Sequence, residues 1–193
     1  MTLVHLITHP DVVIDPAVPV PDWPLSPRGR ARMEAALAQP WVAGIGGIHC
    51  STERKAIDGA EILAAHLRLP FATHEDLGEN DRSATGYLPR AAFEATADLF
   101  FAHPAQSIRG WERAIDAQAR IVAAIDRLLA LPHPPGDVAI VAHGGVGALL
   151  LCALLGEKIN RTRDQPPTAQ GGFRFAFEAV RRRVVTPWER IDG

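Results

Sequence analysis

Asp137-Val138-Ala139-Ile140-Val141-Ala142-His143-Gly144-Gly145-Val146 places an unbroken apolar run ahead of a histidine and two glycines, and a second apolar run continues to Leu155. A short apolar run ending at glycine reads as a strand buried on both faces, and the longer run behind it reads as a buried helix. Taken together, Val138 to Leu155 approaches the length of a membrane span. His143, Gly144, Gly145 and Gly147 interrupt it, so a strand turning into a helix accounts for it better.

The same pattern recurs outward from this stretch. Leu3 to Thr8 reads as a buried strand, and Pro10, which has no amide to donate, leaves His9 at its end. Four prolines between Asp11 and Pro24 mark a loop. Ser26-Pro27 then forms an N-cap followed by proline at the first helical position, opening a helix that carries Met33, Ala36 and Leu37 inward and stops at Pro40. Ile45 to Cys50 reads as another strand, with Ser51 or Thr52 capping a helix striped by Ile57, Ala60, Leu63, Ala64 and Leu67. His74 to Gly86 reads as a loop or lid, Arg90 to Phe101 as a helix, and Trp111 to Leu129 as one face of a long helix ending before Pro132. Phe173 to Phe177 and Val180 to Val185 supply two more strands. Strands alternating with helices predict a three-layer α/β/α fold whose mostly parallel central sheet is covered by helices on both faces. The expected organisation is one domain over residues 1–193, with an excursion at about 74–110 over the site.

Composition narrows the partners. The 193 residues, 47% of them hydrophobic, suit one sizeable core. Twenty Lys and Arg against 22 Asp and Glu give a net charge of −2, which argues against nucleic acid or an anionic membrane as partner and makes any anion site local. Arg181-Arg182-Arg183 reads as the solvated end of a strand. Cys50 and Cys152 lie in apolar runs and read as buried free thiols. The start lacks the basic segment of a secretory signal, so the expected location is cytoplasmic. A small symmetric homo-oligomer is the expected assembly.

Chemistry gathers at the strand ends. His9, His49 and His143 each stand at or near the carboxyl end of a strand, where open α/β sheets collect ligand groups. Gly144 and Gly145 let the chain turn closely, and the free amides of the next helix favour phosphate or carboxylate. Dinucleotide and Walker patterns are absent, so no cofactor is expected. Arg54 and Lys55 bring positive charge to the same edge. Trp111 and Tyr87 suit either a substrate mouth or a closed core.

The ordered set Leu6-Ile7-Thr8-His9-Pro10, Leu25-Ser26-Pro27-Arg28-Gly29, Cys50-Ser51-Thr52-Glu53-Arg54-Lys55-Ala56 with Ala60, Leu77-Gly78-Glu79 and Val141-Ala142-His143-Gly144-Gly145-Val146 resembles the histidine phosphatase (phosphoglycerate mutase-like) family over nearly the whole chain. In that family an opening Arg-His-Gly supplies a nucleophilic histidine, a second arginine holds phosphate, and a later histidine stabilises the transferring phosphoryl group. The resemblance implies His9 as nucleophile, His143 as its charged or hydrogen-bonding partner, and Glu79 as the acid that protonates the leaving alcohol, with Asp76 and Asp81 as substitutes. Lys55, Arg54, Thr8 and Arg82 become the groups facing the substrate anion.

The sequence departs from the family pattern at the site itself. Thr8 stands for the first arginine, Pro10 for the glycine and Lys55 for the second arginine. Losing one preorganised donor costs about 3–4 kcal/mol of transition-state stabilisation, so Arg54, Arg82, Arg109 or Arg174 would have to compensate. The expected function is a divergent, metal-independent phosphatase acting on a small phosphorylated metabolite, with a phosphomutase ranked behind it. The alternative is a noncatalytic phosphate- or carboxylate-binding protein that kept the fold. A third reading, metal-dependent hydrolysis by His9, His49 and His143, has no compact ligand motif behind it.

Overall fold

The computed structural model describes residues 1–132 and 134–193. Six strands, β1 (Leu3–Thr8), β2 (Ile45–Ser51), β3 (Phe71–His74), β4 (Asp137–Ala142), β5 (Phe173–Glu178) and β6 (Val184–Arg190), form one sheet in the order β3-β2-β4-β1-β5-β6. β3, β2, β4 and β1 run parallel, while β5 and β6 add an antiparallel edge. Among the described residues five α-helices flank the sheet: α1 (Pro27–Ala36), α2 (Arg54–Leu67), α3 (Arg90–Ala102), α4 (Ala114–Ala130) and α5 (Gly144–Leu154).

Alternation along the central strands builds a core on each face. Val138, Ile140 and Ala142 of β4 join Val4 and Leu6 of β1 beneath Ile121, Ile125 and Leu128 of α4 and Val146 and Leu150 of α5. Ala139 and Val141 face the other way with Ile7, against Met33 and Ala36 of α1 and Ala56, Ala60 and Leu63 of α2. A third cluster ties Phe100 and Phe101 of α3 and Trp111 to Ala114, Ala117, Ala148 and Leu149. Both layers of helix are therefore set by the same few strand residues. Both cysteines are buried and unpaired, and burial pushes the Cys50 thiol up to about 12. Among the described residues no helix is long and apolar enough to cross a membrane.

Two local expectations are corrected, and one strand is added to the expected set. β3 takes in His74, the first residue of the expected loop; it is a four-residue edge strand, half-buried at its ends and exposed between them, and such a segment carries no apolar run. The last strand starts at Val184 rather than Val180, because the chain turns through Ala179 to Arg183 with Arg182 in the left-handed region at φ 57°. The three arginines thus lie on a hairpin turn and its flank. Helix α2 starts later than its expected cap, with Glu53 at the N-cap position and no side-chain capping bond. Ser51 is diverted to another partner.

Candidate active site

β1 and β4 are neighbours in parallel register, Thr8 opposite Ala142, so the residues that follow them, His9 and His143, emerge side by side. Their ring centroids lie 5.2 Å apart, edge to face. The His9 backbone is fixed on both sides. Its N–H donates to the Ala142 carbonyl at 3.1 Å, and its own carbonyl accepts from Gly172 N–H at 3.1 Å. Gly171 makes this approach feasible: its φ is +65°, and a Cβ there would sit 2.0 Å from the His9 carbonyl oxygen.

The His9 ring is oriented by its own neighbour. Nδ1 lies 3.0 Å from the Pro10 carbonyl oxygen, which can only accept, so Nδ1 carries the hydrogen and Nε2 keeps its lone pair. Burial lowers the pKa, helped by His143 and Lys55, and the ring is held neutral. An imidazole with a bare Nε2 is a nucleophile without prior deprotonation.

His143 is enclosed more deeply. Ser51 Oγ lies 2.7 Å from its Nε2 and Glu53 Oε1 lies 3.2 Å from the same nitrogen, while Nδ1 is buried without a hydrogen-bond partner. Burial again lowers its pKa; Glu53 and Glu79 oppose the shift and Lys55 and Arg82 add to it. Glu53 also takes Lys55 Nζ at 2.5 Å through Oε2 and the Glu79 N–H at 2.8 Å through Oε1. Burial pushes the Glu53 carboxyl up, yet His143 and Lys55 outweigh it and hold the group ionised. Lys55 Nζ further donates to the Val20 carbonyl at 2.8 Å.

Glu79 sits across the start of α5. Its two oxygens accept from Gly145 N–H and Val146 N–H, each at 3.0 Å, and Arg82 Nη2 lies 3.1 Å away. Burial raises its pKa, but Arg82, His143 and the helix amides lower it on balance. Arg82 is itself held by stacking over Phe93 and Trp111, 4.8 and 5.0 Å from the ring centroids.

Above His9 lies a cavity of about 200 Å³. Its polar rim includes Glu79, Arg82, Arg161, Asp164 and Gln165, and its apolar wall comes from Phe93, Phe100, Phe101 and Trp111. The segment expected to overhang the site therefore supplies much of the lining, and Trp111 serves both as core and as wall.

The remaining sequence-derived candidates are placed elsewhere or differently. Thr8 is fully buried, donating to Gln165 Oε1 at 2.7 Å and accepting from Phe173 N–H at 3.0 Å. Arg54 turns to Asp58 at 2.7 Å, one helical turn away. His49 pairs with His74 of β3, with Nδ1 and Nε2 3.1 Å apart. Among the described residues no group of three or more His, Cys, Asp or Glu side chains could hold a metal ion. Asp76 pairs with Arg127, and Asp81 Oδ1 accepts from Ser83 N–H at 2.8 Å. Tyr87 packs at a tilt against Trp23, with ring centroids 5.6 Å apart. Of the four arginines that could substitute for Thr8, Arg82 alone lines the cavity. Arg109 occupies a left-handed position in a short turn, and Arg174 is tied to His5 and Glu189 and stacked on Trp41.

Sequence reasoning missed Glu53, Arg161, Asp164 and Gln165. The last three lie in the polar stretch between α5 and β5, which carries no periodic signal. Asp164 stands out chemically: burial, with Glu79 adding to it, pushes its carboxyl up to about 6.

The family model for the histidine phosphatase superfamily (branch 1) matches residues 17–191, so the matched segment begins after Thr8-His9-Pro10. Bacillus stearothermophilus YhfR superposes with a TM-score of 0.75 at 21% identity, over 96% of this chain and 95% of that one. A mycobacterial glucosyl-3-phosphoglycerate phosphatase in complex with inorganic phosphate gives 0.74 at 21% identity, over 98% and 95%. A putative alpha-ribazole-5'-P phosphatase from Escherichia coli K-12 gives 0.67 at 17% identity, over 100% and 98%. These likenesses carry the fold. A comparison with curated proteins returned no match.

Proposed function

Since the chain belongs to the histidine phosphatase superfamily, we propose that it is a metal-independent phosphomonoesterase working through a phosphohistidine at His9. The observation that carries this reading is the fixed tautomer of His9, with Nδ1–H on the Pro10 carbonyl and a bare Nε2 on a ring that lines the cavity.

In the first step Nε2 attacks phosphorus, the P–N bond forms, and the bond to the ester oxygen breaks. The leaving oxygen takes a proton from a carboxylic acid. The resemblance gives that role to Glu79, but here Glu79 is an ionised anchor on the α5 amides. Asp164 lines the same cavity and keeps its proton nearer to neutral pH, so it is the better-disposed donor. In the second step water attacks phosphorus and gives its proton to the resulting carboxylate. The P–N bond breaks, and inorganic phosphate leaves with the His9 lone pair restored. His143, packed against His9 with an unpartnered Nδ1, takes the proton of a singly protonated phosphoryl group there and holds the resulting oxygen as a donor, and that proton leaves again with inorganic phosphate. The aromatic wall favours an ester with an apolar or aromatic alcohol over a small sugar.

The test is steady-state turnover of a phosphoester panel, aromatic model esters included, by wild type and His9→Gln. Wild type should hydrolyse at least one ester, and His9→Gln should lower kcat by about a thousandfold or more. Equal turnover by the two would refute nucleophilic His9.

A second reading, a noncatalytic phosphate- or carboxylate-binding protein, is favoured by Glu79, which lies ionised on the α5 amides and holds no proton for a leaving group. Calorimetric binding of phosphate with no turnover of any panel member would select it.

A further inference from the structure

The cationic and N–H groups that an oxyanion would use beside His9 are already engaged by carboxylates of the chain. Glu53 bridges Lys55 Nζ at 2.5 Å and His143 Nε2 at 3.2 Å, and Glu79 covers the Gly145 and Val146 amides at 3.0 Å while pairing with Arg82. Two fixed cations, Lys55 and Arg82, thus face two fixed carboxylates, with His9 and His143 neutral between them.

Glu53 is not a cap that happens to lie close. It occupies the N-cap position of α2 without any side-chain capping bond, and its side chain turns inward to 12% exposure. A carboxylate there is stable because three donors converge on it: Lys55, His143 and the Glu79 N–H. Three convergent donors are also what a phosphoryl oxygen needs.

Resting on the reading that an anion binds beside His9 and His143, we infer that Glu53 is the specificity-determining residue of that site, the resident counter-ion of Lys55 and His143 that selects singly charged over doubly charged phosphoryl groups, so that a phosphomonoester enters in its singly protonated form. A monoanion can share Lys55 with Glu53 while the site stays close to neutral. A dianion brings charge that neither Lys55 nor Arg82 has left to balance, nor Arg161, which is paired with Glu94 and Asp98, and it gains Lys55 and His143 only as Glu53 is displaced. The groups facing Glu53 from the elements around it are Lys55 of α2, His143 after β4, His9 after β1 and Glu79 of the overhanging segment, and the open side of Glu53 shares a pocket with His74, Glu75, Asp76, Asp81, Glu112 and Arg120.

The inference is tested by titration calorimetry near pH 8 with two probes: inorganic phosphate, mainly a dianion there, and dimethyl phosphate, a fixed monoanion. Wild type and Glu53→Gln are compared, with Glu61→Gln, an exposed change on the same helix, as control for net charge. Glu53→Gln should bind phosphate about tenfold or more tightly than wild type, gain less than about threefold for dimethyl phosphate, and differ from an unchanged Glu61→Gln. Equal gains for both probes, or no gain for phosphate while wild type binds it, would overturn the role of Glu53 and leave the anion site standing. No binding of either probe to any of the proteins would remove the anion site and the inference together. If Glu53→Gln loses the circular dichroism of the wild type, Glu53→Asp takes its place. Its shorter carboxylate withdraws from Lys55 and His143, and a gain for phosphate below about threefold would count against the inference.

Discussion

Asp164 shows how a single side chain links the cavity to stability. Its carboxyl rises from the ordinary 3.8 to about 6, chiefly through burial. The folded state therefore holds this proton more tightly than the unfolded chain. That contribution is complete below about pH 4, falls as the pH rises toward 6, and is gone above it. An asparagine side chain at this position would have no proton to lose and could still accept from Gln165 N–H. Asp164→Asn should then stabilise the protein by about 1–2 kcal/mol at pH 7.5, once the partial exposure of the side chain is allowed for, and give no gain near pH 3.5. Thermal melts of both proteins at the two pH values check it, and equal gains at both would contradict it. The legibility of the site also divides at this scale. His9 and His143 are readable because each follows a buried apolar run at a break in the chain. Glu53 is not, since a glutamate just ahead of a helix is ordinarily solvated, and only the convergence of Lys55 and His143 turns it inward. Thr8 reads as a weakened anion ligand; the structure gives its hydroxyl to Gln165 and to the Phe173 amide, a pairing across most of the chain that local pattern cannot foresee.

Among the elements, the loop bearing Glu79 is tied to α4 through one residue, besides the bond from its own N–H to Glu53. Arg120 donates to the carbonyls of Asp76 and Gly78 at 3.0 and 2.9 Å and of Glu79 at 3.2 Å, and pairs with Glu112 at 2.8 Å. The loop has little apolar burial of its own beyond Leu77, so these bonds set where Glu79 meets the start of α5. Arg120→Ala should lower kcat/KM by about tenfold or more and destabilise by about 1–3 kcal/mol. Kinetics on an aromatic ester and a chemical melt check the two figures; unchanged kcat/KM with a lowered melt would make Arg120 structural only. The strands and helices are legible where apolar spacing is strong, as in β1, β4, α2 and α4. The bounds of β6 are less so, because Val184-Val185-Thr186-Pro187-Trp188 contains a proline, which argues against a central strand but is tolerated at the exposed edge that β6 forms. Ser51 has the look of a helix cap and instead bonds His143, so a local preference yields to a tertiary contact.

For the molecule as a whole, β1 and β4 do two jobs. Their alternating side chains anchor the helices on both faces, and their parallel pairing brings His9 and His143 together. This is why the fold is readable from apolar pattern alone, and why departures at Thr8, Pro10 and Lys55 leave it intact: the first two lie at the end of β1 and the third in the first turn of α2, all outside the two clusters. The site is only half readable, because part of its charge balance comes from Glu53 ahead of α2 and from Arg161 and Asp164 between α5 and β5, segments that meet only after folding. The central claim is that the phosphoryl group passes through His9. Rapid quenching into alkali during turnover of a radiolabelled aromatic ester, followed by peptide mapping, tests it most directly. An acid-labile, alkali-stable phosphoryl label is expected on the peptide carrying His9, formed within the first turnover and absent from His9→Gln. Steady turnover with no label on that peptide at any quench time, and phosphate released straight to water, would contradict it.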